Sequence, residues 1–459
     1  MKVIPMKVHF IGIGGIGISA LAQYYLAKGN KVSGSELKES EITQLLRKKG
    51  ATIFIGHKGK NLSKNVDLVI YSSAIPKDNP ELKRAKEYKL PLKTYPQALG
   101  ELTKKYFTIA ISGTHGKSTT TAMTSLILIK AGLDPTVIVG TKLKEFGNSN
   151  FRMGAQSSSF GPPILVIEAC EYEKAFLNYF PKIIVITNIE REHLDYYKNL
   201  KNILSAFKEF ISHLPENGYL VANKDDKNVV RLLGSLKKIT KKYYSLRQKE
   251  DVNKLKSLLK IPGTFNIQNA LAALSVARIL KIPDKISFKA LSGYKGAWRR
   301  FEIFSLSLNN TPFTLISDYA HHPTEIKATL QAVREKFRKR RIILVFQPHQ
   351  YQRTKLLFKD FVNSFDNADY LILNEIYGVA GRDQEKNISS KDLKEAVKRK
   401  WKKRGKEKNV EFIKDIDKIP RLLSKILKRN DVVIIMGAGN IYNLVPRLKI
   451  WKKKNQPGL

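Results

Sequence analysis

The residues SGTHGKSTTT at 112–121 follow the apolar run YFTIAIS and open a segment with apolar positions at Met123, Leu126, Ile127 and Ala131, closed by Gly132. A strand, a glycine turn and a helix in that order aim backbone N–H groups at one point. The helix N-terminus adds partial positive charge there, so the pattern predicts a site for the phosphates of ATP. Lys117 then reaches the β- and γ-phosphates and the Ser118 hydroxyl ligates Mg²⁺, with Gly113, Thr114, His115, Gly116 and Thr119 completing the cradle. The spacing is shorter than the common G-x-x-x-x-G-K form, which would need glycine at Ile111. A glycine turn that binds nothing has no use for the lysine and the hydroxyl in that register.

Two further groups extend this chemistry. Glu168 ends the apolar run PILVIE, and His193 lies just past KIIVITNI. Ligands of parallel sheets gather beyond the carboxyl ends of strands, where the phosphate loop also sits. A carboxylate and an imidazole there suit a Mg²⁺ bridge between ATP and a second substrate. Either residue alone would be read as a surface group, and their shared position beside the loop is what singles them out.

A second glycine loop, Gly12-Ile-Gly14-Gly15-Ile-Gly17, follows the run KVHFI, with Glu36 beyond the next apolar segment. That satisfies a dinucleotide-binding fingerprint, and by itself it suggests an NAD-dependent oxidoreductase. A chain that also carries an ATP loop favours a nucleotide-activated substrate on this helix N-terminus.

The elements needed to position these loops fall into three blocks. Residues 1–105 alternate short apolar runs with helical patterns, a βαβ rhythm that implies a parallel sheet. Residues 106–297 start afresh at YFTIAIS and end with the helical NIQNALAALSVARIL. Residues 298–459 hold strands FTLISDYA, RIILVFQ, YLILNEI and DVVIIMGAG with helices between them. The expected fold is α/β in three domains: a Rossmann-like N-terminal domain, a central P-loop ATPase-like domain and a Rossmann-like C-terminal domain. SGYKGA at 292–297, with two glycines, is the expected hinge.

Composition narrows the class. Of 459 residues, 42% are hydrophobic and 27% charged, enough for each block to bury a core. No run reaches the roughly 20 apolar residues that span a bilayer. The apolar N-terminus flows into a glycine loop without a small-residue cleavage site, so it is read as a strand and not a signal peptide. Cys170 is the single cysteine, which excludes an intrachain disulfide and suits a reducing, cytoplasmic setting. The 82 Lys and Arg against 40 Asp and Glu give +42. Without a recognition motif, and with the basic residues spread along the chain, this is read as a solvated surface that attracts anionic substrates and not as a nucleic-acid site.

Further motifs carry a resemblance. SSAIPKDNPEL at 72–82, EACEYEKAFL at 168–177, TNIEREHLDYY at 187–197 and PGTFNIQNALAAL at 262–274 stand with both glycine loops in one ordered set. RRFE at 299–302, DYAHHPTEI at 318–326, FQPHQYQRT at 346–354 and MGAGNIY at 436–442 complete it. The set resembles the Mur ligase family nearly end to end. The resemblance implies that ATP phosphorylates the lactyl carboxylate of UDP-N-acetylmuramate and that the amine of L-alanine then attacks the acyl phosphate. It implies catalytic roles for Lys117, Glu168 and His193, with Ser118, Glu168 and His193 as magnesium positions. Asn266, Asn269 and Arg300 fall on the ATP side, Gly12, Gly14, Gly15, Ser35 and Ser73 on the UDP side, and Tyr319, His349 and Arg353 on the amino acid. It is compatible with a monomer or homodimer. The chain departs from the family pattern at Glu36, Cys170, Phe265, Gln350, Arg382 and Asn440. Gln350 takes the place of an arginine that helps hold the amino-acid carboxylate, which leaves Arg353 more of that task.

Two other readings stay open at this level. A recycling ligase would attach a whole murein peptide to UDP-N-acetylmuramate, but usually carries extra residues where AFLNYFPKIIVITN is short here. A nucleic-acid-stimulated ATPase would use the +42 charge.

Overall fold

A computed structural model describes residues 4–157, 161–234, 236, 239–379 and 387–454, with side chains to 450. Arg382 lies outside the described residues. Three sheets follow one another along the chain.

The first sheet holds β1 (Lys7–Ile11), β2 (Lys31–Glu36), β3 (Thr52–Ile55), β4 (Leu68–Tyr71) and β5 (Leu92–Thr94). All pairings are parallel, in the order β3-β2-β1-β4-β5. The order reverses between β1 and β4, and the crevice beyond their carboxyl ends is where such sheets take ligands. The glycine loop leaves β1 there, and the Ser72–Ser73 turn leaves β4.

The second sheet holds β6 (Phe107–Ser112), β7 (Thr136–Leu143), β8 (Ser149–Arg152), β9 (Ile164–Glu168), β10 (Ile183–Ile186), β11 (Tyr219–Asn223) and β12 (Thr240–Tyr244). Its order is β12-β11-β10-β6-β9-β7-β8, parallel except for the β7–β8 pair. Strand β6 lies between β9 and β10. The phosphate loop after β6 therefore emerges between the end of β9, at Glu168, and the end of β10. The helix that follows, Lys117–Lys130, buries Thr119, Thr120, Thr121 and Thr124 together with Met123 and Ile127, while Leu126 is half-buried. It is enclosed on more than the one apolar face that its sequence marks.

The third sheet holds β13 (Glu302–Leu308), β14 (Thr311–Asp318), β15 (Ile342–Phe346), β16 (Tyr370–Asn374), β17 (Asn409–Ile413) and β18 (Val432–Met436). The order is β13-β14-β18-β15-β16-β17, and only β13–β14 is antiparallel. Every residue of β15 and β18 is buried. Alternation assigns their two faces: Ile342, Leu344 and Phe346 join a core with Trp401, and Ile343 and Val345 join one with Leu423 and Leu444. Burial on both faces is why these strands are continuous apolar runs.

The chain divides into two compact units. One takes residues 1–191, 200–258 and 268–294, with the first two sheets. The other takes 192–199, 259–267 and 295–459, with the third sheet. No described helix is long and apolar enough to cross a membrane.

Within the first unit, a buried polar cluster ties the helix Ile16–Ala27 to β8. Gln23 donates to Asn150 Oδ1 at 2.8 Å, Ser149 Oγ donates to Gln23 Oε1 at 3.0 Å, and Asn150 Nδ2 donates to Ser19 Oγ at 3.0 Å. All four residues are at most 5% exposed. Paired buried amides hold one geometry, because any other leaves donors without acceptors. Gln23→Leu removes two of these bonds and strands their partners. It is expected to lower stability by about 1–3 kcal/mol, read as a lower urea midpoint. An unchanged midpoint would show that the cluster does not fix the two sheets together.

Candidate active site

The phosphate loop is shaped by β10. Thr114 N–H donates to the Asn188 carbonyl at 2.9 Å, and His115 N–H to Asn188 Oδ1 at 2.8 Å. Thr187 Oγ1 donates to the His115 carbonyl at 2.6 Å, and Glu190 N–H donates to Thr114 Oγ1 at 2.8 Å. Thr187 and Asn188 are thus as much a part of the cradle as its glycines. Sequence reasoning took them for part of a motif and gave them no role, because their contacts lie more than 70 positions away.

Two glycines are required by space as well as by backbone. Gly113 has φ +130°, and a Cβ on it would fall 2.1 Å from Thr187 Oγ1. Gly116, the N-cap of the helix, has φ +83°, and its Cβ would fall 2.3 Å from Asn269 Oδ1. Asn269 also accepts from Thr120 Oγ1 at 3.2 Å. This expected ATP-side asparagine therefore packs on the loop itself.

Lys117 folds back over the loop. Its Nζ donates to the carbonyls of Gly113 at 2.6 Å and Thr114 at 3.1 Å, and pairs with Glu171 at 3.0 Å. Burial opposes its charge, but Glu171 foremost, with Glu168, outweighs burial and holds the ammonium protonated well above its ordinary range. Burial first, then Glu171, pushes the Cys170 thiol up to about 12, so Cys170 is a neutral neighbour and not a nucleophile. Glu171 was not singled out by sequence reasoning, although it sits in the EACEYEKAFL motif.

Ser118 Oγ donates to Glu168 Oε2 at 2.8 Å, and Gly140 N–H donates to the same oxygen at 2.8 Å. A hydroxyl and a carboxylate side by side at the first turn of the helix are hard oxygen donors, the set that Mg²⁺ prefers. The residues present therefore fit that ion.

At the other glycine loop, Gly12 and Ile13 N–H groups both donate to the Ser35 carbonyl, at 2.9 and 3.0 Å. Gly14 N–H donates to Glu36 Oε2 at 2.9 Å. Glu36 thus braces the loop, where the dinucleotide fingerprint would have it reach a ribose. Gly15 caps the helix Ile16–Ala27, with no side chain on the first-turn N–H groups. The hydroxyl of Ser35, expected on the UDP side, is fully buried and donates to Glu81 at 2.7 Å. Ser73 is exposed at the end of β4.

The remaining expected residues belong to the second unit. Arg353 pairs with Glu192, Nη2 to Oε1 at 2.6 Å and Nε to Oε1 at 3.0 Å, and donates to the His349 carbonyl at 3.0 Å. Burial opposes the Glu192 charge, but Arg353, His193, His322 and His321 hold its carboxyl well below the usual range. His193, at φ +54°, donates its backbone N–H to Glu192 at 3.1 Å. His349 stacks on Tyr377, with ring centroids 5.7 Å apart. Arg300 lies over the Tyr319 ring at 4.6 Å. Its neighbour Arg299 is buried against the same ring and the carbonyls of Gly437 and Gly439. Arg353, His349 and His193 are thereby brought together around Glu192, and Tyr319, which carries Arg300, joins them through His321, whose ring centroid lies 5.3 Å from that of Tyr319 and 6.0 Å from that of His349. Asn266 donates to the Pro262 carbonyl at 2.6 Å, and Phe265 packs on the core of the third sheet. Gln350 is buried at φ +72°, and Asn440 accepts from Gln347 at 2.9 Å.

Comparison with known proteins identifies the family. Three family models match in succession: Mur ligase family, catalytic domain, at 7–107; Mur ligase middle domain at 111–277; and Mur ligase, glutamate ligase domain, at 299–439. A UDP-N-acetylmuramate–L-alanine ligase of Clostridium kluyveri is 42% identical over 459 residues, covering 95% of this chain and 96% of that one. The crystal structure of the UDP-N-acetylmuramate-alanine ligase of Thermotoga maritima superposes with a TM-score of 0.77 at 28% identity, over 98% of this chain and 100% of that one. A murein peptide ligase of Psychrobacter arcticus gives 0.71 at 22% identity, over 99% and 100%, a likeness of fold.

Gly116→Ala tests the cradle. A left-handed alanine costs roughly 1–2 kcal/mol before the clash with Asn269 is counted. Displacing Asn269 also moves the loop, so Mg·ATP affinity should fall at least about tenfold, equivalent to about 1.4 kcal/mol. The measurement is the ATP-induced rise in melting temperature; a rise equal to that of the parent protein would refute the crowding argument.

Proposed function

The chain belongs to the Mur ligase family, and from that premise we propose that it is an ATP-dependent ligase joining L-alanine to the lactyl carboxylate of UDP-N-acetylmuramate. The single observation that carries the chemistry is the cradle after β6, where a buried ammonium and a serine–carboxylate pair meet a helix N-terminus.

A carboxylate resists attack by an amine because its oxygen is a poor leaving group. Phosphorylation supplies a good one, and the product of that step is an acyl phosphate. Both reactants are anions, so the step needs positive charge fixed between them. Lys117 provides it at the loop, and its burial keeps that charge from being screened by water. Glu171 orients the ammonium while Gly113 and Thr114 anchor it from below. Ser118 and Glu168 are the residues that would hold Mg²⁺, which when bound offsets phosphate charge. The N–H groups at the start of the helix Lys117–Lys130 face phosphate oxygens.

The UDP moiety is assigned to the first sheet, at the uncapped N-terminus of the helix Ile16–Ala27. L-Alanine is assigned to the second unit, where Arg353, His349 and Tyr319 offer a cation, an imidazole and a phenol. Arg353 is held by Glu192, so an amino-acid carboxylate competes with an internal one for the guanidinium. Domain limits near 105 and 297 and a cytoplasmic setting complete the proposal.

Phosphate release in the presence of ATP, UDP-N-acetylmuramate and L-alanine is the direct test. Release with a murein peptide and none with alanine would assign the recycling reaction instead. Lys117→Ala should cut this release by at least about 10²-fold, the usual effect of losing one donor to developing charge. Near-normal turnover in a folded Lys117→Ala protein would remove the lysine from phosphoryl transfer. His193→Ala should move the Mg²⁺ titration of activity to higher concentration and lower its plateau. A superimposable titration would take His193 out of the metal site.

A further inference from the structure

The N-terminal domain contains a buried chain of polar groups that phosphoryl transfer does not use. His9, Ser35 and Glu81 have no exposed surface. Glu81 Oε2 receives His9 Nε2 at 2.9 Å and Ser35 Oγ at 2.7 Å. Its Oε1 receives the Lys58 N–H at 3.0 Å and Asn61 Nδ2 at 2.9 Å. Ser35 Oγ also meets His57 Nδ1 at 2.8 Å, and His9 Nδ1 meets Ser33 Oγ at 2.9 Å.

Counting protons along this chain fixes its direction. Burial opposes the Glu81 charge, but the bonds from His9, Ser35 and Asn61 hold its carboxyl below the usual range. It is therefore an acceptor only. Ser35 has one hydroxyl proton, and Glu81 takes it. The Ser35 oxygen can then only accept from His57, so the proton of the His57 ring sits on Nδ1. With that proton on Nδ1, Nε2 is the ring's lone-pair acceptor. No partner takes Nε2 among the described residues.

The place of His57 says what that lone pair is for. It follows Gly56, at φ +87°, just past the carboxyl end of β3, and Gly56 N–H donates to the Glu36 carbonyl at 2.8 Å. This is the ligand edge of the sheet, on the side of β2 and β3 where a nucleoside lies when its phosphates sit on the loop after β1. The acidic residue after β2 that reaches a ribose in dinucleotide sites is engaged here with Gly14. The His57 side chain is 9% exposed, placing it at the rim of the buried network.

We propose that His57 Nε2 is the hydrogen-bond acceptor that recognises the nucleoside of the substrate, through an N–H of its base or an O–H of its ribose, and that Glu81 and Ser35 set the ring's proton for that purpose. The proposal rests on the UDP-sugar reading above.

Binding of UDP, N3-methyl-UDP, 2′-deoxy-UDP and 3′-deoxy-UDP by calorimetry tests it. The parent protein is expected to reject one of the three analogues, which identifies the donor. His57→Phe should weaken UDP about tenfold, the scale of one lost hydrogen bond with desolvation, and should erase that discrimination. Its Mg·ATP affinity, read on a different sheet, should match the parent and reports a sound fold. Ser35→Ala leaves the Glu81–His9 pair in place but frees the ring's proton, so it should reduce the discrimination too. A His57→Phe protein that binds UDP and ranks the analogues as the parent does would overturn the recognition role, and a Ser35→Ala protein with full discrimination would overturn the relay. A parent protein that binds UDP but rejects none of the analogues would also overturn the inference alone. A parent that binds no UDP would sink the substrate assignment and this inference together.

Discussion

The charge of Lys117 is the constraint around which the central domain is arranged. An ammonium taken out of water is strongly disfavoured unless oxygen atoms replace its hydration. Here two carbonyls of the loop and the Glu171 carboxylate do so. The same contacts that keep the cation protonated also pull the loop into a tight ring around it. That ring leaves no room for side chains at Gly113 and Gly116. Its outer wall is Thr187 and Asn188 at the end of β10, and Asn269 closes it from the helix side. The order of strands follows from this: β6 must lie between β9 and β10 so that Glu168 and Asn188 both reach the loop.

The two glycine loops solve different problems with the same backbone plan. Around β6 the phosphate loop surrounds a cation, so it suits a highly charged, reacting phosphate. The loop after β1 contains no cation; its Gly14 N–H is tied down by Glu36, and its Gly12 and Ile13 N–H groups by the Ser35 carbonyl. What it offers is the start of a helix, enough to dock a diphosphate without polarising it. A site that only binds has no reason to stabilise developing charge, and a site that transfers phosphate does.

How much of this could be read from the sequence follows from the range of each interaction. The phosphate loop was legible because strand, glycines, Lys117, Ser118 and helix are consecutive. The parallel sheets were legible because runs such as IILVF and VVIIM are apolar at every position, which burial on both faces demands. The role of Glu168 beside Ser118 was legible only as a position at a strand end. Thr187, Asn188, Glu171 and Glu81 gave no sequence signal of their own function, since their partners lie 20 to 75 positions away. Ser35 is a different case: the family motif placed it on the UDP side, and its hydroxyl is directed inward to Glu81, a carboxylate with no local signature.

Arg353 and Glu192 extend the same electrostatic logic to the second unit. Glu192 is buried and ionised, and Arg353 is its principal counter-charge. A guanidinium so placed cannot be idle, because removing it would leave a buried carboxylate uncompensated. An anionic substrate that engages Arg353 must therefore share it with Glu192, and the planar fork of arginine permits that sharing: Nε and Nη2 both serve Glu192 Oε1, while Nη1 turns to His349. Lysine, a single point of charge, could not divide itself in this way. The pair thus gives a reason for arginine at 353 beyond its charge. It also links Arg353 to His193, whose backbone N–H is held by the same carboxylate oxygen.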